Sequence, residues 1–105
     1  MSGRDAFTAI ADPTRRRILD LLQVQGALAA GEIAARFAKT SRPGISRHLR
    51  ILRDCRVVGV ERRGKCQIYT LCPEPLRMVR EGWLGKFGDM QRDSLKALRA
   101  TVEGP

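Results

Sequence analysis

At Cys55 the spacing of the apolar residues changes, and that change restricts the fold more than any other feature of the sequence. Before it, Ile45, Leu49 and Leu52 recur at four- and three-residue steps, the period of a helix with one buried face. Ile18, Leu21 and Leu22 do the same, as do Ile33, Ala34 and Phe37. After it, Val58 and Val60 alternate with Gly59 and Glu61, and Ile68 alternates with Gln67 and Tyr69. These two short runs, rich in β-branched and aromatic residues, meet at Gly64-Lys65, the composition of an antiparallel hairpin. Helical spacing returns after Pro73 and Pro75 with Leu76 and Val79 inward. It continues through Trp83, Leu84, Phe87, Met90, Leu95, Leu98 and Val102, where Gly82, Gly85 and Gly88 argue against one unbroken helix. The expected architecture is mainly α (α+β), with short helices, one hairpin and a long apolar C-terminal helix.

Start and stop signals place the helices. Phe7, Ile10 and Ala11 share one face of a first helix that ends before Asp12-Pro13; Asp12 then caps a second helix with Pro13 at its first position. Gly26 ends it. A third helix covers about residues 30–37, and Ser41 caps a fourth, with Pro43 in its first turn and Gly44 a permissive neighbour. The 105 residues suit one domain, without repeats or a linker.

Charge identifies the face that does the work. Residues 41–72 carry eight basic and two acidic side chains, +6 of the net +9, the clustering expected of a surface that meets a polyanion. Sixteen of the twenty cations are arginine, whose planar fork suits phosphate and guanine edges. No apolar run reaches the roughly 20 residues that span a bilayer, and the first residues lack the apolar core of an export signal, so a cytoplasmic location is expected. An enzyme would need a convergent acid, base or nucleophile set, a phosphate loop or a metal motif, and the sequence offers none.

Two helices joined by a short turn, the second rich in Arg, Ser and His, and a basic-tipped hairpin directly after it form the layout of a winged helix-turn-helix. The recognition helix spans about residues 42–55 and the wing about 58–71. Ser41, Arg42, Ser46, Arg47 and Arg50 are expected to face the major groove of double-stranded DNA. Arg42 and Arg47 fit guanine edges and the serines fit phosphate. Arg62, Arg63 and Lys65 would straddle the neighbouring backbone as the wing. His48, the one histidine, is assigned to backbone contact or to packing on the preceding helix.

The segments ADPTRRRILDLL (11–22), SRPGISRHLRILRD (41–54) and VERRGKCQIYTL (60–71) together resemble the ArsR family of bacterial transcriptional repressors, collinearly over about residues 5–100. The resemblance implies a homodimer on a pseudo-palindromic operator, with residues 4–11 and 74–102 forming the subunit contact. Phe7, Ile10, Leu76, Trp83, Leu84, Phe87, Leu95 and Leu98 are the residues assigned to it; they present more apolar surface than one small core covers.

The sequence departs from the family's metal sensors. The third helix has no Cys-x-Cys pair and the last helix no histidine, so no cofactor and no metal site are expected. Cys55, Cys66 and Cys72 remain. Cys66 pointing inward could meet Cys55, and packing is the first reading, with metalloid or redox sensing by an unidentified effector as the alternative. A winged-helix module for RNA or Z-form duplex is the other alternative.

Overall fold

The computed structural model describes residues 5–87. α1 (Ala6–Ile10) opens on Asp5, whose Oδ1 accepts from the Thr8 backbone N–H at 3.1 Å. α2 (Pro13–Gln25) opens on Asp12, whose Oδ2 accepts from the Arg15 N–H at 3.0 Å, with Pro13 where a missing N–H costs nothing. Gly26 ends α2 with φ of 81°, a conformation a Cβ would strain.

α2 closes the end of α1. A helix leaves its last carbonyls without partners. Here Arg15 Nη2 donates to Thr8 O at 2.8 Å, Arg15 Nε to Ala9 O at 3.2 Å, and Arg16 Nη1 to Ile10 O at 2.6 Å. The small residues Ala6 and Ala9 are the buried ones, which lets α1 lie close to its neighbours. The expected inward face of Phe7, Ile10 and Ala11 is therefore corrected: Phe7 and Ala11 are exposed and Ile10 is half-buried. On α2, Leu19 joins Ile18 and Leu22 inside, and Leu21 is half-buried.

A two-residue strand, β1 (Leu28–Ala29), leads into α3 (Ala30–Ala35), which stops two residues short of the expected Phe37. Glu32 Oε1 accepts from the Ala29 N–H at 3.0 Å and fixes that entry. Ile33 is buried, and Ala34 and Phe37 pack half-buried on the core. α4 (Arg42–Asp54) buries Ile45, Leu49 and Leu52, as its period requires. It ends in a tight reversal: Arg56 takes φ of 63°, its N–H donates to Arg53 O at 3.0 Å, and the Val57 N–H donates to Leu52 O at 3.2 Å. This is the Schellman pattern, completed by two side chains with no exposure, Leu52 and Val57.

That reversal aims the chain into the hairpin of β2 (Val58–Arg63) and β3 (Cys66–Leu71), joined through Gly64 at φ of 61°. The sheet order is β1-β3-β2, all antiparallel. Val58 faces Leu71, Val60 faces Tyr69 and Arg62 faces Gln67. Opposed residues share a face, so Tyr69, not Ile68, belongs to the buried side of β3. Tyr69 is 6% exposed, whereas Ile68 is half-buried; the expected parity of this strand was off by one residue. The core lies between this sheet face and the helices, centred on Ile18, Leu22, Ile33, Ile45, Leu49, Leu52 and Val57.

α5 (Glu74–Glu81) follows Pro73, with Val79 buried and Leu76 half-buried. It ends at Gly82, where a Cβ would sit 2.8 Å from Met78 O, and a 3-10 turn follows over Leu84–Phe87. The long helix expected from residue 74 is thus interrupted; Met90, Leu95, Leu98 and Val102 lie outside the described residues. No described helix is long and apolar enough to cross a membrane.

Candidate nucleic-acid interface

Outside its buried stripe α4 carries Arg42, Ser46, Arg47 and Arg50, all exposed. None of these side chains has a hydrogen-bond or ion-pair partner among the described residues. Pro43, Ser46, Arg47, Arg50 and Ile51 line a shallow concavity of about 370 Å³. Four polar groups on successive turns of one helix, three of them permanently cationic, form a donor-rich ridge that no acidic side chain among the described residues neutralises.

Ser41 is committed elsewhere. Its Oγ accepts from the Gly44 N–H at 3.1 Å, so it shapes the start of the helix. Gly44 permits this approach: a Cβ there would stand 3.1 Å from both Ser41 Oγ and Thr40 Cγ2. His48 is on the flank, turned towards α2. Its Nδ1 lies 3.3 Å from Arg15 Nη1 and 3.9 Å from Asp12 Oδ2. Of the two roles expected for His48, packing is the one this contact serves. Burial pushes the Asp12 carboxyl up, but the Arg15 backbone N–H, the His48 ring and the Arg15 guanidinium outweigh it and hold Asp12 below the ordinary carboxylate value.

The wing's cations do not share one face. Strand parity puts Arg62 on the same face as Tyr69, towards the helices, and Arg63 on the opposite face, where it pairs with Glu61 at 3.3 Å. Arg62 Nε donates to Gly64 O at 3.2 Å and stiffens the tip. Arg62 and Lys65, with Cys66 and Gln67, look across a concavity of about 540 Å³ to residues 29–32. Two residues of this surface were absent from the expected set. Arg53 stands one turn beyond Arg50, and Gln67 stands opposite Arg62. The helical step signals the first; the second needs the strand register.

A separate cluster joins α1 to the end of the described chain. The Phe7 and Trp83 rings meet edge to face at 5.8 Å, and Trp83 and Phe87 at 5.2 Å. They remain 44%, 50% and 38% exposed. Ile10, Leu76 and Leu84 pack half-buried against the core, and Leu95 and Leu98 lie outside the described residues.

The cysteines are dispersed. Cys55 is buried at the end of α4, Cys66 is exposed and Cys72 is half-buried beside Gly59. The expected inward turn of Cys66 towards Cys55 is corrected, because the register of β3 gives the inner face to Gln67, Tyr69 and Leu71. Among the described residues no group of three or more His, Cys, Asp or Glu could hold a metal ion.

Comparison with known proteins agrees with this geometry. A helix-turn-helix domain model matches residues 10–58. The transcriptional repressor SdpR of Bacillus subtilis (strain 168) is 48% identical over 67 residues, 64% of this chain and 72% of that protein. A crystallised "possible transcriptional regulator for arsenical resistance" superposes with a TM-score of 0.69 at 34% identity, over 79% of this chain and 84% of the other. A crystallised ArsR family transcriptional regulator gives a TM-score of 0.70 at 29% identity, over 82% and 86%. With the reading helix, the wing and these relatives in agreement, the chain belongs to the ArsR family of winged helix-turn-helix, DNA-binding transcriptional regulators.

Proposed function

We propose that the chain acts as a homodimeric repressor on a pseudo-palindromic operator. Each α4 enters a major groove, with Arg42 and Arg47 on base edges and Ser46 and Arg50 beside the backbone. The observation that carries this is the ridge of unpartnered donors on α4, set against a fully buried apolar stripe. Lys65 and Arg62 reach the adjacent backbone from the wing. The exposed aromatic cluster of Phe7, Trp83 and Phe87 supports a subunit contact through α1 and the segment after α5. A two-fold pair then spaces its α4 helices one DNA turn apart, roughly 34–36 Å. Repression also agrees with the function named for the Bacillus relative.

Footprinting on the DNA upstream of the chain's own coding frame tests the reading. A protected, near-symmetric region is expected. Arg47→Ala should weaken it by about 1–3 kcal/mol and relax base preference, whereas Lys65→Ala should weaken all sequences alike and flatten the salt slope by about one unit. Unchanged binding by both variants removes α4 and the wing from the groove.

A further inference from the structure

Between the second half of α4 and β3 lies a crevice of about 250 Å³, walled by Ser46, Arg50 and Arg53 on one side and Gln67 and Tyr69 on the other. No carboxylate lines it. Ser46, Arg50 and Arg53 have no side-chain partner among the described residues. Tyr69 is buried, and its hydroxyl donates to Gln67 Oε1 at 3.3 Å. An amide has one accepting end and one donating end. With the oxygen held by the tyrosine, Gln67 offers its Nε2 hydrogens outward. Apart from Tyr69, whose one hydrogen is committed to Gln67, every polar side chain of the described residues that lines the crevice is able to donate, and two carry fixed positive charge. Such a set selects an oxyanion, and guanidinium forks suit the oxygens of a phosphate.

We infer that this crevice seats one phosphodiester of the DNA backbone. Arg50 and Arg53 form the charged clamp, Gln67 is a neutral donor, and Tyr69 is the residue that positions Gln67. The inference rests on the groove-reading role proposed for α4 and assigns work to Arg53, Gln67 and Tyr69, which that role leaves idle. A phosphate held beside Arg50 fixes how far α4 slides along the groove, the part that backbone contacts play in recognition.

Fluorescence anisotropy of the full chain on a labelled duplex of about two helical turns, between roughly 50 and 200 mM NaCl, separates the parts. Arg53→Gln should lower the slope of log affinity against log salt by about one unit. Gln67→Ala should weaken binding about tenfold at every salt concentration and leave the slope unchanged, because the lost donor is neutral. Tyr69→Phe keeps the ring in the core. It should weaken the parent similarly, yet add nothing in the Gln67→Ala background, a non-additivity that a purely structural role would not produce. Inorganic phosphate should compete no better than chloride at matched ionic strength. Parental affinity and slope in Arg53→Gln and Gln67→Ala overturn the crevice while leaving α4 in the groove. Full additivity of Tyr69→Phe with Gln67→Ala overturns the positioning role. Strong competition by free phosphate, lost in Arg53→Gln, reassigns the site to a small oxyanion. A parent chain that binds no duplex overturns the groove reading itself.

Discussion

Arg56 is the one described non-glycine residue with positive φ, and it sits where the reading helix hands over to the wing. Its side chain has no hydrogen-bond or ion-pair partner among the described residues, and the left-handed region costs an L-residue about 1 kcal/mol or more. Arg56→Gly should therefore stabilise the fold by about 0.5–1 kcal/mol after the greater freedom of glycine in the unfolded chain is counted. A urea midpoint that rises with an unchanged slope is the expected result. Asp12 is the second informative residue, since it caps α2 and touches the Arg15–His48 pair. Its folded pKa is depressed, so its contribution is complete above the unfolded carboxylate value of about 4 and disappears as pH falls through the lower folded value. Asp12→Asn keeps a capping oxygen and removes the titration. The urea midpoints of parent and variant, measured downward from neutral pH, should differ in favour of the parent and converge below pH of about 4. A gap that persists there contradicts the assignment.

Among the elements, α4 depends most on its first turn. Ser41→Ala should cost about 1 kcal/mol of stability through the lost cap. Ser41→Asp should restore the stability, because aspartate caps equally well, but weaken DNA binding by adding a negative charge at the groove; recovery of both in Ser41→Asp would place this turn away from DNA. The caps of α2 and α4 and both ends of the hairpin were legible in the sequence because each is set by one or two residues acting locally: Asp12 with Pro13, Ser41 with Pro43, and Gly64. What the sequence hid depends on partners distant along the chain. β1 is two residues long and exists only through its pairing with Tyr69 and Ile68, so no periodicity marks it. The inward side of β3 follows from its register with β2, which Cys66-Gln67-Ile68-Tyr69 leaves open, since apolar residues occupy both parities. For the same reason the basic ridge of α4 was readable from helical spacing, while Gln67 was not, and Arg62 and Arg63 looked equivalent until the strand separated them. Gly82 gave a warning that the last helix breaks, and at that break the Met78 carbonyl leaves no room for a Cβ.

Across the described residues, the cationic ridge lies on α4 and the aromatic cluster at α1 and the turn after α5. Trp83 contacts both Phe7 and Phe87, so Trp83→Ala dissolves the cluster at its centre. Sedimentation should then shift towards the monomer, and operator affinity should fall steeply with dilution, while the far-ultraviolet signal of the subunit stays the same. An unchanged dimer removes this cluster from the contact. Arg15 has a further consequence at this scale. One guanidinium closes the last turn of α1 and abuts the imidazole of α4, so the arm bearing Phe7 and the rod bearing Arg47 share a common brace. Tilting either one strains the other, so in the proposed dimer the pitch at which two subunits meet would be transmitted, through a single side chain, to the angle at which each rod approaches its target.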